Sequence, residues 1–218
     1  MNSDNQDKPL TRSQRRRRED LVRAALKVFD EHGFEAARMD DVAREAEVAK
    51  GTVYLYFKNK EDLFQGMVRD VVGPALDSVR QAATLASRPP TERLEQLVRS
   101  LGRFLGTGDF RTILRLMIAE GPKHENLRQF YYSNIVEPGT AAIRQCLQDG
   151  EASGEFRQGS GQVAPQVLAG APMIAAIWQI LFADYAPLDT ERLLDDHLKT
   201  VLGGLQVTAG QSSAAITH

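Results

Sequence analysis

The chain has 218 residues, 42% of them hydrophobic, with a formal net charge of −2; that is enough apolar material for a sizeable core, and it excludes a chain that is basic throughout. The charge is uneven: residues 1–60 carry 13 Lys and Arg against 11 Asp and Glu, while the remainder carries 14 against 18. The single cysteine, Cys146, cannot form an internal disulfide and fits a reducing, cytoplasmic setting, and the polar N-terminus lacks the apolar stretch of a secretory signal.

Taken in chain order, residues 1–12 read as a polar arm. Leu21, Ala25, Val28 and Phe29 then fall at helical spacing over 13–32, and Gly33 is placed to end that helix in a left-handed conformation. The run Arg15, Arg16, Arg17 and Arg18 lies at its start and is a candidate for phosphate contact. Short helices are expected over 39–46 and 50–57, and a long one over 60–86 with Asn59 as its N-cap and Asp62 in its first turn. Ser87-Arg88-Pro89-Pro90 breaks the pattern. Helices follow over 91–105, 110–119 and 123–151, the last kinked near Pro138-Gly139. A Gly- and Ser-rich loop at 150–161 precedes two final helices at 162–184 and 190–206, and the small polar tail at 208–218 reads as disordered. The apolar stretch 167–183 is too short for a comfortable membrane span, contains Pro172 and Gln179, and reads as a buried helix. No strand-like alternation of useful length and no internal repeat occurs, so the fold class is all-α.

Three short helical segments followed by a long one suggest a helix-turn-helix, here over 13–59, docked on a helical body over 60–207. Val42, Ala43 and Ala46 form an apolar face on the first short helix, and Val53 and Phe57 form the facing stripe of the second. Thr52, Tyr54, Leu55 and Tyr56 then point away from that stripe, with Lys50 and Gly51 at the helix start. A recognition helix presents such N-terminal residues to the major groove. Thr52 can hydrogen-bond a base edge, and Leu55 can make apolar contact there. The hydroxyls of Tyr54 and Tyr56 can reach phosphates, and Gly51 lets the backbone approach one. Lys60 brings charge to the start of the next helix.

The stretch from Ala49 to Phe64, AKGTVYLYFKNKEDLF, resembles the signature of TetR/AcrR-type repressors, and Ala24, Ala25 and Phe29 before His32-Gly33-Phe34 resemble that family's first helix. The resemblance covers 15–66. It implies a homodimeric regulator that binds double-stranded operator DNA through Lys50, Gly51, Thr52, Tyr54, Tyr56 and Lys60. It also implies a C-terminal body that takes a small-molecule inducer and dimerises through the last two helices. Where the family carries Thr or Ser as cap and phosphate donor, this chain has Met39, and the neighbouring Arg38 is the side chain able to compensate. Candidate inducer contacts are Phe104, Phe110, Met117 and Trp178. The four histidines, His32, His124, His197 and His218, show no metal-ligand spacing, and neither a phosphate-cradling glycine loop nor a nucleophile elbow is present. No catalytic residue, metal or cofactor is therefore expected. A ligand-responsive repressor and a helical ligand-binding protein with a vestigial DNA module remain the two function classes.

Overall fold

A computed structural model describes residues 10–84 and 87–207 of the chain. Among them are ten α-helices and no strand: α1 (Arg12–Ala36), α2 (Met39–Glu45), α3 (Lys50–Tyr56), α4 (Lys60–Thr84), α5 (Pro90–Leu105), α6 (Gly108–Glu120), α7 (Glu125–Tyr131), α8 (Glu137–Ala152), α9 (Pro165–Leu181) and α10 (Thr190–Leu205). The expected tail, and the expected arm up to residue 9, lie outside the described residues. The arm is shorter than anticipated, because a capping box starts α1 early: Thr11 Oγ1 accepts from the Gln14 N–H at 3.2 Å, and Gln14 Oε1 accepts from the Thr11 N–H at 2.9 Å.

The chain divides into two units, residues 1–71 with 112–128 and residues 72–111 with 129–218. In the first unit, α1 packs on α2 and α2 on α3. Their core holds Leu21, Ala25, Val28 and Phe29 from α1, Val42 and Ala43 from α2, Val53 from α3, and Leu63, Phe64, Met67 and Val68 from α4. The rings of Phe29, Phe34 and Phe64 meet at centroid distances of 5.6, 6.2 and 5.7 Å. Bringing Phe34 into this cluster requires a sharp change of direction, which Gly33 provides at φ 73°, ψ 171°. A β-carbon there would meet only Glu120 Oε1 at 3.8 Å, so space is not the constraint; the dihedral is. Gly33→Ala is therefore expected to cost about 1–3 kcal/mol, a fall of roughly 3–10 °C in the midpoint of thermal unfolding for a chain of this size. An unchanged melting curve would remove the strain argument.

The second unit is built round α5, which packs on α8, α9 and α10. Leu94, Leu97, Val98, Ile143, Cys146, Leu147, Phe156, Leu168, Leu194 and Leu198 make its core. Arg93 is buried in that core and pairs with Asp149, whose carboxyl the guanidinium hydrogen bond holds below its ordinary range. Cys146 is fully buried and free, and burial pushes its thiol up.

The expected single helix over 123–151 is instead three segments. α7 runs into a five-residue π-helical stretch, Tyr132–Val136, before α8. Pro138 offers no N–H to the preceding turn, so the ladder widens just before it. The helix expected at 162 starts later, at Pro165, whose fixed φ suits a first helical position. It ends at Leu181, where Trp178 Nε1 donates to the Ala186 carbonyl at 2.6 Å as the chain turns back. Nor is that helix buried all round: Val167, Ile174 and Leu181 are exposed. No helix among the described residues is long and apolar enough to cross a membrane.

Candidate nucleic-acid interface and ligand cavity

The seven residues of α3 divide as their spacing predicts. Val53 is fully buried and Phe57, just past the helix, is 2% exposed, whereas Leu55 is 82% and Tyr54 45% exposed. Lys50 and Gly51 are exposed, and Thr52 and Tyr56 are half-buried. Position 57 is held by a close fit. The Phe57 ring lies against Gly66 of α4, where a β-carbon would come within 2.5 Å of it, and the Arg18 guanidinium lies 5.2 Å from the ring centroid. Arg18 also pairs with Asp70. Of the four-arginine run, then, Arg18 turns into the fold and Arg15, Arg16 and Arg17 stay exposed.

The two lysines expected at the interface each have a partner that sets their position. Lys50 Nζ sits 2.7 Å from Asp40 Oδ1, which raises its pKa, yet the pair is exposed and is readily exchanged for another anion. Lys60 Nζ donates to the Glu35 carbonyl at 2.9 Å and lies 4.6 Å from the Phe34 ring centroid, so it is anchored at the start of α4 with two N–H bonds to spare. Asn59 caps that helix as expected, its Oδ1 accepting from the Asp62 N–H at 2.8 Å. At the start of α2, Met39 is buried and offers no polar group. Asp41 accepts from the Arg38 main-chain N–H at 3.2 Å, and the exposed Arg38 side chain stands at this corner.

The second unit contains a cavity of about 140 Å³. Val72, Ala75, Leu76 and Val79 of α4, Leu97, Leu101 and Phe104 of α5, Phe110, Ile143 of α8 and Met173 of α9 supply apolar wall. The rings of Phe104 and Phe110 meet at 5.0 Å. Among the described residues, two that carry hydroxyls belong to the wall, Thr140 and Tyr131. The hydroxyl of Thr140 is already committed to the Val136 and Glu137 carbonyls at 2.9 and 3.0 Å. That of Tyr131 is pushed up to about 12 by burial and so remains a protonated donor. Among the described residues, no charged side chain lines the cavity. Of the four residues expected there, Phe104 and Phe110 are present. Met117 lies in the first unit, and Trp178 stacks on Phe182 at 5.1 Å with its N–H on Ala186. Tyr131, Leu76 and Met173 were not singled out by sequence; the break at Pro138-Gly139 was the one local sign that this segment is special.

Sequence spacing joins no histidine to other ligand residues, but the fold brings one beside two carboxylates. In the first unit Glu35, Glu120 and His124 converge, their ligand atoms within 4.8 Å of one another.

Comparison with known proteins bears on the whole arrangement. Residues 21–67 match the bacterial regulatory proteins of the tetR family, and residues 89–198 match the tetracyclin repressor-like C-terminal domain. The HTH-type transcriptional repressor KstR2 of Mycolicibacterium smegmatis is 26% identical over 207 residues, spanning 91% of this chain and 95% of that protein. The Bacillus subtilis regulator YhgD is 33% identical over 133 residues, 61% of this chain. The matches span only 42% and 60% of the lengths of two Bacillus relatives, YerO and YhgD. The crystal structure of the Bacillus subtilis regulator FadR in complex with stearoyl-CoA shares the fold at TM-score 0.71 and 22% identity, covering 85% of this chain and 98% of that one. With a helix-turn-helix segment and a C-terminal body that both match, this chain belongs to the TetR family of DNA-binding transcriptional regulators.

Proposed function

We propose that the protein is a cytoplasmic repressor that binds a palindromic operator as a homodimer and releases it when a small apolar or amphipathic inducer enters the cavity. One observation carries the DNA reading. α3 buries Val53 and anchors Phe57 while leaving Lys50, Gly51, Tyr54 and Leu55 facing outward, so the helix offers a mixed polar and apolar surface on which Lys50 is held only by an exposed pair with Asp40. Thr52, Tyr56, Lys60 and Arg38 flank that surface and supply base-edge and phosphate contacts.

Dimerisation through α9 and α10 is supported by the exposed stripe Val167, Ile174 and Leu181, spaced by seven residues and therefore on one helix face. Gly170 on α9, and Gly203 and Gly204 on α10, have open space where a β-carbon would stand, which permits close approach of a second chain. A two-fold pair of this kind reads an inverted repeat. The inducer class follows from the wall. A charged group buried there would lose its hydration without gaining a partner, so the buried part of the ligand is neutral and apolar, with at most one acceptor for Tyr131. FadR's stearoyl-CoA combines an acyl chain with an anionic head; the wall here suits the apolar chemistry and not the head, and about 140 Å³ is room for a group of roughly benzene size. α4 supplies Val72 to Val79 to the wall and Leu63 to Val68 to the other unit's core, so displacement of that single helix is the route by which occupancy reaches α3.

The test is selection of duplexes from a random pool by the purified chain, followed by titration across salt concentrations. The expected product is an inverted repeat bound by two chains, with log affinity falling by about 0.9 per phosphate contacted for each decade of salt. Tyr56→Phe should weaken that complex several-fold with helix content and dimer mass unchanged. Enrichment of no sequence, or a monomeric chain on DNA, would overturn the reading.

A further inference from the structure

Glu35, Glu120 and His124 come from three separate places: the last turn of α1 beyond the Gly33 bend, the final residue of α6, and the turn before α7. His124 Nε2 lies 2.7 Å from Glu35 Oε1 and 3.8 Å from Glu120 Oε2. That nitrogen is shielded from solvent and makes no hydrogen bond, because the approach to Glu35 is close without being aligned. An imidazole lone pair this near a carboxylate oxygen is repelled, and a protonated ring is held by the two carboxylates through charge alone, without an aligned hydrogen bond. We propose that these three residues form a binding site for Zn²⁺ or a similar divalent first-row cation, a role distinct from operator or inducer binding.

The chemistry is suited to it. One neutral imidazole and two carboxylates bring two negative charges, which a dication balances, and nitrogen with oxygen is a donor set such cations accept. Around a tetrahedral cation with ligand bonds of 2.0–2.2 Å, neighbouring ligand atoms stand about 3.3–3.6 Å apart, a spacing that the two observed separations bracket. The cation would thus turn a misaligned contact into two ligand bonds with only small adjustments. The supports are in place. The Phe34 ring meets the imidazole edge-on at 5.0 Å, and the main-chain N–H of His124 donates to the main-chain carbonyl of Glu120 at 3.1 Å, holding those two ligands on one side of the turn. Glu35 is exposed, which leaves an entry path and a position for water. Two other cations face the cluster: Lys123 Nζ, 3.2 Å from Glu120 Oε2 on an exposed, flexible stem, and Lys60 Nζ, which is held by the Glu35 main chain and not by its carboxylate. The exposed Lys123 ammonium can return to water, and the dication replaces it as partner of the mostly buried Glu120 carboxylate. Metal binding would cross-link the end of α1 to the α6–α7 turn and stabilise this unit by mass action.

The experiment uses the full chain, stripped with a chelator and titrated with Zn²⁺ alone by calorimetry, with Co²⁺ absorption as a spectroscopic check and thermal unfolding as a third readout. One ion per chain should bind at about micromolar concentration or tighter, raise the melting temperature, and give a d–d band with Co²⁺. His124→Ala and Glu120→Gln should each weaken binding about tenfold or more, while Cys146→Ser should bind as the parent does. Should His124→Ala fail to fold, Glu35→Gln on the exposed carboxylate gives the same test. No binding below about 100 µM would overturn the site, as would binding lost with Cys146→Ser or binding unweakened in the ligand variants.

Discussion

Gly51→Ala should make the free chain slightly more stable and its operator complex at least about tenfold weaker. The two effects have opposite signs because they arise in different states. In the free chain Gly51 is a helical residue of α3, and a β-carbon there meets nothing within 4 Å. Ala in place of Gly in a helix is worth up to about 1 kcal/mol, or about 2–4 °C in melting temperature for a chain of this length. On DNA the same β-carbon stands where the backbone at the start of α3 is to approach a phosphate. Lengthening one charge-assisted hydrogen bond there forfeits about 1.5–3 kcal/mol, and 1.4 kcal/mol is already tenfold. Gly51→Leu should keep the stability of the free chain and deepen the loss of binding. Thermal melts and operator titrations on the same preparations would check this. An alanine variant that binds as tightly as the parent would mean that the start of α3 does not approach the duplex.

The helix-turn-helix was legible because its signals are local. Gly33 ends the straight part of α1, Asn59 caps α4, and α2 and α3 finish within one residue of the expected positions, each fixed by a cap or by apolar spacing over one or two turns. The inward turn of Arg18 was not legible. Four consecutive arginines look alike in sequence, and the choice among them is made by Asp70 and the Phe57 ring, many residues away. The cavity shows the same division. Phe110 and Met117 lie seven residues apart on α6, and periodicity puts them on one face; but α6 runs from one unit into the other, and only Phe110 faces the cavity. Ile135 and Val136 line the wall from within the π-helical stretch ahead of Pro138, where the expectation was only of a kink. Glu35 and His124 are 89 positions apart, so no spacing rule could join them.

Gly139→Leu should abolish uptake of apolar ligand while leaving operator binding intact. Gly139 lines the cavity near the start of α8, and a β-carbon there would find only Leu76 Cδ1, at 4.0 Å. A leucine side chain extended from that point enters the space the ligand is to occupy. Each buried methylene contributes about 0.8 kcal/mol, and replacing a helical glycine adds up to about 1 kcal/mol. Crowding of Leu76 and Phe104 opposes these by about 1–3 kcal/mol, so stability should change little in either direction. Binding of the neutral fluorophore phenylnaphthylamine, read by its emission, should fall about tenfold or more in the variant. In the parent the same dye should lift the protein from its operator, and in the variant it should not. The cavity is some distance in sequence from α3, and the filled variant keeps every residue of the DNA-facing surface. Loss of dye response with retained operator affinity therefore separates occupancy of this cavity from damage to the fold; dye uptake equal in both proteins would place the ligand elsewhere.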